Sequence, residues 1–98
     1  MRLTNQEITS IKESFHQVFG TGKIYLFGSR VDDNLKGGDI DLFIELDITL
    51  TVKETLDKIS KFKISLYDKI GEQKIDVIIS KDKTRLIEQE ALKRGILL

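Results

Sequence analysis

The segment from Asp39 to Leu46 constrains the fold more than any other part of the sequence, because it begins with alternating acidic and apolar residues. Successive side chains of a β-strand point to opposite faces of the sheet. Asp39 and Asp41 would therefore share one face, with Cα atoms roughly 6.5–7 Å apart. The apolar residues expected on the other, buried face are Ile40, Leu42, Ile44 and Leu46. The pattern predicts a sheet that is covered on one side and carries carboxylates on the other.

Two threonine–glutamate pairs, Thr4 with Glu7 and Thr51 with Glu54, have the spacing of a helix capping box. In that arrangement each side chain bonds the backbone N–H of the other residue at the start of a helix. Apolar residues follow each pair at helical spacing. They are Ile8, Ile11, Phe15, Val18 and Phe19 in the first helix, and Val52, Leu56, Ile59, Phe62, Leu66 and Ile70 in the second. Gly71 is placed to end the second helix in a left-handed conformation.

Two more strands and a third helix complete the predicted fold. The runs 23–27 and 74–79 are short, apolar and rich in residues that favour strands. We expect Ser80 or Asp82 to cap a last helix, which Gly95 ends. The apolar residues of that helix are Leu86, Ile87, Ala91 and Leu92. This order of elements predicts an α/β (α+β) fold, with a small mixed sheet of three or four strands flanked by helices.

Length and composition narrow the class of protein. The 98 residues are expected to form a single domain, 1–98. Lys and Arg total 16 and Asp and Glu total 16, whereas a protein that binds nucleic acid usually has a basic surplus. The absence of Cys excludes disulfides and thiolate metal sites. Neither a signal peptide nor an apolar run of the ~18–20 residues that span a bilayer is evident. We therefore expect a cytoplasmic protein that binds neither membrane nor, directly, nucleic acid.

A third carboxylate, Asp76, alternates with apolar residues on the third predicted strand, so it would project from the face opposite to the core. If that strand neighbours the strand with Asp39 and Asp41, three carboxylates converge. Such groups raise one another's pKa values, and a bound cation removes that penalty. Oxygen ligands without Cys or a nearby His favour Mg²⁺, with Mn²⁺ as a substitute. Metal ions that bridge phosphate oxygens are what phosphoryl transfer requires.

A glycine–serine pair directly after the first strand is a candidate phosphate contact. Gly28 lets the backbone approach a phosphate, and Ser29 offers its hydroxyl and its N–H. Arg30 and Lys36 would add positive charge near a triphosphate. Taken alone, a Gly-Ser pair usually marks a turn, and alternating aspartates usually mark a solvated sheet face. The conjunction of the pair with three carboxylates favours a nucleotide site.

The combined pattern resembles the signature of the nucleotidyltransferase superfamily that includes DNA polymerase β. Its parts here are Phe27-Gly28-Ser29, a spacer of nine residues, Asp39-Ile40-Asp41-Leu42, and Asp76 on a later strand. The short chain is similar to the minimal nucleotidyltransferase (MNT) group over nearly its whole length. The resemblance implies a nucleotidyltransferase fold and transfer of a nucleoside monophosphate from a triphosphate, with release of pyrophosphate.

The resemblance also implies roles for individual residues. Asp39 and Asp41 would each ligate two Mg²⁺ ions. Asp76 would ligate only the ion that activates the attacking hydroxyl. Gly28 and Ser29 would hold the β- and γ-phosphates.

A partner follows from the same resemblance. Similar MNT proteins often pair with a helical HEPN protein as antitoxin and toxin, and the antitoxin adds AMP from ATP to a tyrosine of the HEPN ribonuclease. The alternative is a catalytically idle module that neutralises such a partner by binding it, and the acidic pair Asp32-Asp33 favours this alternative. The apolar end Ile96-Leu97-Leu98 leaves two interpretations open: it docks on a partner or a second copy of the chain, or it packs on its own sheet.

Overall fold

Three helices and four strands make up the part of the chain that the computed structural model describes, residues 3–28, 39–81 and 84–98. In chain order they are α1 (Asn5–Phe19), β1 (Lys23–Phe27), β2 (Ile40–Glu45), α2 (Val52–Ile70), β3 (Ile75–Ile79), α3 (Leu86–Arg94) and β4 (Ile96–Leu97). The predicted order is confirmed, and β4 is an additional strand. No helix in these ranges is both long and apolar enough to cross a lipid bilayer.

Both predicted capping boxes are present. At the start of α1 the Glu7 N–H donates to Thr4 Oγ1 at 3.0 Å, and the Thr4 N–H donates to Glu7 Oε1 at 2.9 Å. At the start of α2, Thr51 and Glu54 make the same pair of bonds at 2.9 and 3.1 Å. Gly71 follows the last residue of α2, as predicted, with a positive φ of 82°, but its ψ of 170° lies outside the left-handed helical region. The local sequence therefore determines where these two helices begin and where α2 ends.

The four strands form one mixed sheet in the order β3-β2-β1-β4. β1 is antiparallel to both of its neighbours, whereas β2 and β3 are parallel and are joined through α2. The chain end forms β4, where Leu97 is opposite Tyr25 and the Leu98 N–H donates to the Ile24 carbonyl at 3.0 Å. The apolar end thus pairs with its own sheet, as one of the two interpretations expects, while Leu97 remains 56% exposed.

The main core lies between the sheet and the helices α1 and α2. The apolar face predicted for β2 is confirmed, because Ile40, Leu42 and Ile44 are completely buried. The other buried members of this core are Ile11, Phe15, Ile24, Leu26, Phe62, Leu66, Ile75 and Ile79. Burial on one face of β2 fixes the direction of the residues between them, and so it turns the aspartates away from this core.

The opposite face of the sheet is partly covered by α3, which lies against β1. Phe43 is completely buried on this face, and its ring packs on Tyr25 with a centroid distance of 6.1 Å. Ala91 of α3 is also completely buried. The face that carries the aspartates is therefore apolar in its middle and polar at both ends of β2, with Asp41 near the start and Glu45 at the end.

The predicted apolar stripe of α2 is wrong at its first two positions. Val52 and Leu56 are 70% and 63% exposed, and Thr55 is buried in their place. The stripe that faces the sheet continues from Thr55 through Phe62 and Leu66. Residues of a helix are about 100° apart around its axis, so Leu56 is directed well away from its buried neighbour Thr55.

The predicted cap of the last helix is also wrong. α3 begins after Arg85, which makes no side-chain cap, and Asp82 lies outside the described residues. The Ser80 hydroxyl instead donates to the buried carboxylate of Glu88 at 2.7 Å. Leu86 and Ile87 of the predicted apolar set are exposed, whereas Ala91 is buried as expected.

Replacement of Thr51 by Ala should lower the free energy of unfolding by about 1 kcal/mol, because one backbone donor of α2 loses its partner. Urea unfolding of the purified variant measures this change. Thr49→Ala, which alters an exposed threonine outside the helix, is the matched control and should change the stability by less than about 0.5 kcal/mol. Equal effects of the two variants would contradict a capping role for Thr51.

Candidate functional site

The pairing of β2 with both of its neighbours places Asp41 at the centre of a polar cluster. In the antiparallel pair Asp41 is opposite Phe27, the residue before Gly28, and in the parallel pair it is beside Asp76. Directly paired residues of neighbouring strands, which lie about 4.8 Å apart, project to the same face. The sheet therefore brings Asp41, Asp76 and the turn at Gly28 together.

The carboxyl groups of Asp41 and Asp76 are neighbours on paired strands, and a hydrogen bond between them would need a proton on one of the two. The pKa of Asp41 is raised from its ordinary 3.8 to about 6. Partial burial is the largest cause, followed by the negative charges of Asp76 and Asp39 and by the hydrogen bond, while Lys74 acts in the opposite direction. Ionisation of Asp41 is thus less favourable in the folded, metal-free protein than in an unfolded chain.

Asp39 lies directly before β2 and contacts Lys74, which lies directly before β3. The distance between Lys74 Nζ and Asp39 Oδ2 is 3.3 Å, and the Ile40 N–H donates to the Lys74 carbonyl at 3.1 Å. The pKa of the Lys74 amine is raised, first by its hydrogen bond to Asp39 and then by the charges of Asp39, Asp76 and Asp41. Lys74 is a site residue that the sequence analysis missed. Its spacing of two residues from Asp76 is the signal that could have placed it on the same face.

Gly28 is the closest backbone neighbour of this cluster on the β1 side. Its φ is +76°, a backbone conformation that residues other than glycine adopt only with strain. A Cβ at this position would collide with Asp41 Oδ2 and would lie 3.0 Å from Asp41 Cγ. Gly28 therefore both allows the turn and leaves room for the Asp41 carboxylate.

The other predicted phosphate contacts, Ser29, Arg30 and Lys36, lie outside the described residues. Their roles remain predictions from the sequence. Of the predicted site residues within the described ranges, Gly28, Asp41 and Asp76 come together, and Asp39 joins them through Lys74.

Within the described residues, no three His, Cys, Asp or Glu side chains form a ready-made metal cluster. Asp41 and Asp76 lie side by side on paired strands, and Asp39 contacts Lys74. The donor set nevertheless fits a hard divalent cation. Its carboxylates are the oxygen ligands that Mg²⁺ and Mn²⁺ prefer, and a cation would reverse the repulsion that raises the pKa of Asp41.

Comparison with known protein families agrees with this chemistry. Residues 9–98 match the family model described as "Polymerase beta, Nucleotidyltransferase". The match includes all four strands and every residue of the cluster. A search of curated proteins finds no significant match to the chain.

Replacement of Asp41 by Asn should stabilise the metal-free protein at pH 7 by about 1–2 kcal/mol, a value reduced for solvent screening. Folding raises the pKa of Asp41, so the folded state holds this proton more tightly than the unfolded state does. The contribution of Asp41 to the free energy of unfolding is therefore full below pH 3.8 and is lost as the pH rises through about 6. Urea unfolding in EDTA should show the advantage of the variant growing from pH 4 to pH 7, and a constant difference would contradict this electrostatic origin.

Replacement of Gly28 by Ala should weaken Mn²⁺ binding by about tenfold or more, equivalent to at least about 1.4 kcal/mol, because the added methyl group displaces the Asp41 carboxylate. The matched control is Gly20→Ala. Gly20 also has a positive φ, 83°, but a Cβ there meets no atom within 4 Å. Both variants should lose about 1–2 kcal/mol of stability through backbone strain. Only Gly28→Ala should bind Mn²⁺ more weakly by calorimetry. An equal loss of Mn²⁺ affinity in both variants would show that backbone strain alone causes it.

Proposed function

Because this chain belongs to the polymerase β-type nucleotidyltransferase family, we propose that it transfers AMP from ATP to a hydroxyl group of a partner protein. Family membership gives nucleotidyl transfer as the general reaction. The observation that carries the proposal is the arrangement of Asp41 and Asp76 on paired strands, with Asp39 at the start of the same strand as Asp41 and the Gly28 turn beside them.

In the proposed reaction the hydroxyl oxygen of the acceptor forms a bond to the α-phosphorus of ATP. The bond from that phosphorus to the oxygen bridging to the β-phosphate breaks, and pyrophosphate leaves. The hydroxyl proton passes to solvent or to a carboxylate of the site. Bound Mg²⁺ ions, two in the arrangement that the family resemblance implies, would stabilise the negative charge as Lewis acids, held by Asp39, Asp41 and Asp76.

The order of the strands supports binding of the triphosphate and of the acceptor hydroxyl on opposite sides of Asp41. Gly28 follows β1, Asp41 is on the central strand β2, and Asp76 is on β3. We assign the triphosphate to the Gly28 side, because a glycine backbone can approach phosphate oxygens closely. Ser29, Arg30 and Lys36, which follow Gly28 in the chain, would complete that half of the site. The acceptor hydroxyl then approaches from the side of Asp76.

The exposure of the acceptor side of the site supports the proposal that the acceptor is a macromolecule. Asp76 is exposed, and β3 is one of the two edge strands of the described sheet. A hydroxyl on the surface of another protein can reach such an edge without entering an enclosed pocket. The zero net charge of the chain disfavours a nucleic-acid acceptor, since phosphate neutralisation dominates that type of binding. The resemblance to the MNT group implies a helical HEPN-type protein, and we propose such a protein as the partner.

A catalytically idle binding module is the second candidate, and one observation favours it. Asp39 contacts Lys74, so one of the three carboxylates is engaged with a cation of the protein itself. The acidic Asp32-Asp33 pair between the motifs would add to this effect by repelling a triphosphate. In that case the domain would neutralise its partner by forming a complex. Protection from a HEPN toxin by a variant that binds it but lacks the carboxylates would favour this candidate.

Calorimetric titration with ATP, GTP, CTP and UTP, each with and without Mg²⁺, is the first test of the proposal. We expect Mg²⁺-dependent binding, because the carboxylates repel a triphosphate unless metal ions bridge the two. A preference for ATP is what the resemblance to the MNT group implies. Binding that is equally tight in EDTA would contradict the proposed site.

Replacement of Asp41 by Asn should reduce AMP transfer to the partner by at least about 10³-fold, a barrier increase of roughly 4 kcal/mol, because a central metal ligand is lost. Transfer of label from α-³²P-ATP to the partner measures the effect. Asp68→Asn, an equivalent change at an exposed position of α2, is the matched control and should leave transfer unchanged. Undiminished transfer in Asp41→Asn, with the fold intact by circular dichroism, would exclude the proposed metal site.

A further inference from the structure

Lys74 is a cation within the carboxylate cluster that the proposed reaction does not use. Its Nζ lies 3.3 Å from Asp39 Oδ2, and it precedes Asp76 by two residues. The hydrogen bond from the Ile40 N–H to the Lys74 carbonyl, at 3.1 Å, ties the backbone at the start of β3 to the start of β2. The strand pairing therefore holds the backbone of Lys74 beside the start of β2, within reach of Asp39.

The two partners of this contact differ in their freedom to move. The Lys74 side chain is 74% exposed, whereas that of Asp39 is 37% exposed. The ammonium group can thus swing into solvent without disturbing any packing, while Asp39 stays at the beginning of β2. A carboxylate oxygen that holds an ammonium group cannot offer the same lone pairs to a metal ion at the same time.

We propose that Lys74 is a positioning residue that acts as a resident counter-cation of Asp39 and is displaced when a divalent cation enters the site. This inference rests on the proposed function, which supplies the reason for a cation to bind there. With Lys74 in place the cluster keeps Asp39 oriented and partly neutralised in the metal-free protein. The same contact lowers the affinity for metal, because the incoming ion competes with the ammonium group for Asp39.

Binding of Mn²⁺ to four forms of the full chain tests this competition, with free Mn²⁺ measured by electron paramagnetic resonance. Lys74→Met removes the charge and keeps the length of the stem, and it should bind Mn²⁺ about three- to tenfold more tightly than the unaltered protein. Lys74→Arg keeps a cation beside Asp39 and should bind Mn²⁺ as the unaltered protein does. The increase in Lys74→Met should shrink at high salt, where charge interactions at the surface are screened.

Lys61→Met is the matched control. Lys61 also makes an exposed ion pair, at 3.0 Å with Asp57, but it belongs to α2 and not to the cluster. This variant has the same net charge as Lys74→Met and should leave the affinity for Mn²⁺ unchanged. An equal rise in Mn²⁺ affinity in both variants would show that the net charge of the protein causes it, and would overturn the inference.

The proposed function and this inference can fail separately. Equal or weaker Mn²⁺ binding by Lys74→Met, in a protein that does transfer AMP, overturns the inference alone and points to Lys74 as a group that assists metal binding. Tighter binding by Lys74→Met, without transfer of any nucleotide by the unaltered protein, supports the competition and overturns the proposed function. Absence of Mn²⁺ binding from every form overturns both.

Discussion

The parallel pairing of β2 with β3 is the constraint on which the rest of the structure depends. One register places Ile40 beside Ile75 and Ile44 beside Ile79 on the core side, and it places Asp41 beside Asp76 on the other. A shift of one residue on either strand would reverse its faces and would bury a carboxylate against α1 and α2. The hydrophobic core therefore holds together two carboxyl groups whose charges repel each other.

Because the two charges repel each other, the two carboxyl groups differ in their exposure to solvent. Asp41 is central and half-buried, so the protein raises its pKa, whereas Asp76 lies exposed on the edge strand. Lys74, the residue before β3, reaches the same cluster and compensates part of its negative charge. The cluster thus combines carboxylates that favour the binding of a cation with the ammonium group of Lys74, a cation that belongs to the chain itself.

The parts of the fold that could be predicted from the sequence are those that local rules determine. The capping boxes at Thr4 and Thr51 and the alternation in β2 each depend on residues within one turn or one strand, and they are present as expected. Errors arise where a side chain finds a partner beyond its own turn or strand, as when Ser80 bonds Glu88 instead of capping α3. Lys74 was missed because its contact with Asp39 depends on which strands are neighbours and in what register, which alternation alone does not specify.

The cost of the carboxylate cluster connects stability with function. A ligand that binds only the folded state stabilises it in proportion to the logarithm of its concentration over its dissociation constant. A cation at Asp41 would add to this effect by removing the penalty that ionisation of the carboxyl group carries in the metal-free protein. Gly28 takes part in the same balance, because its missing side chain gives Asp41 the space in which its carboxylate can remain. The residues whose ionisation costs stability at this end of the sheet are thus the same residues that would bind metal and phosphate.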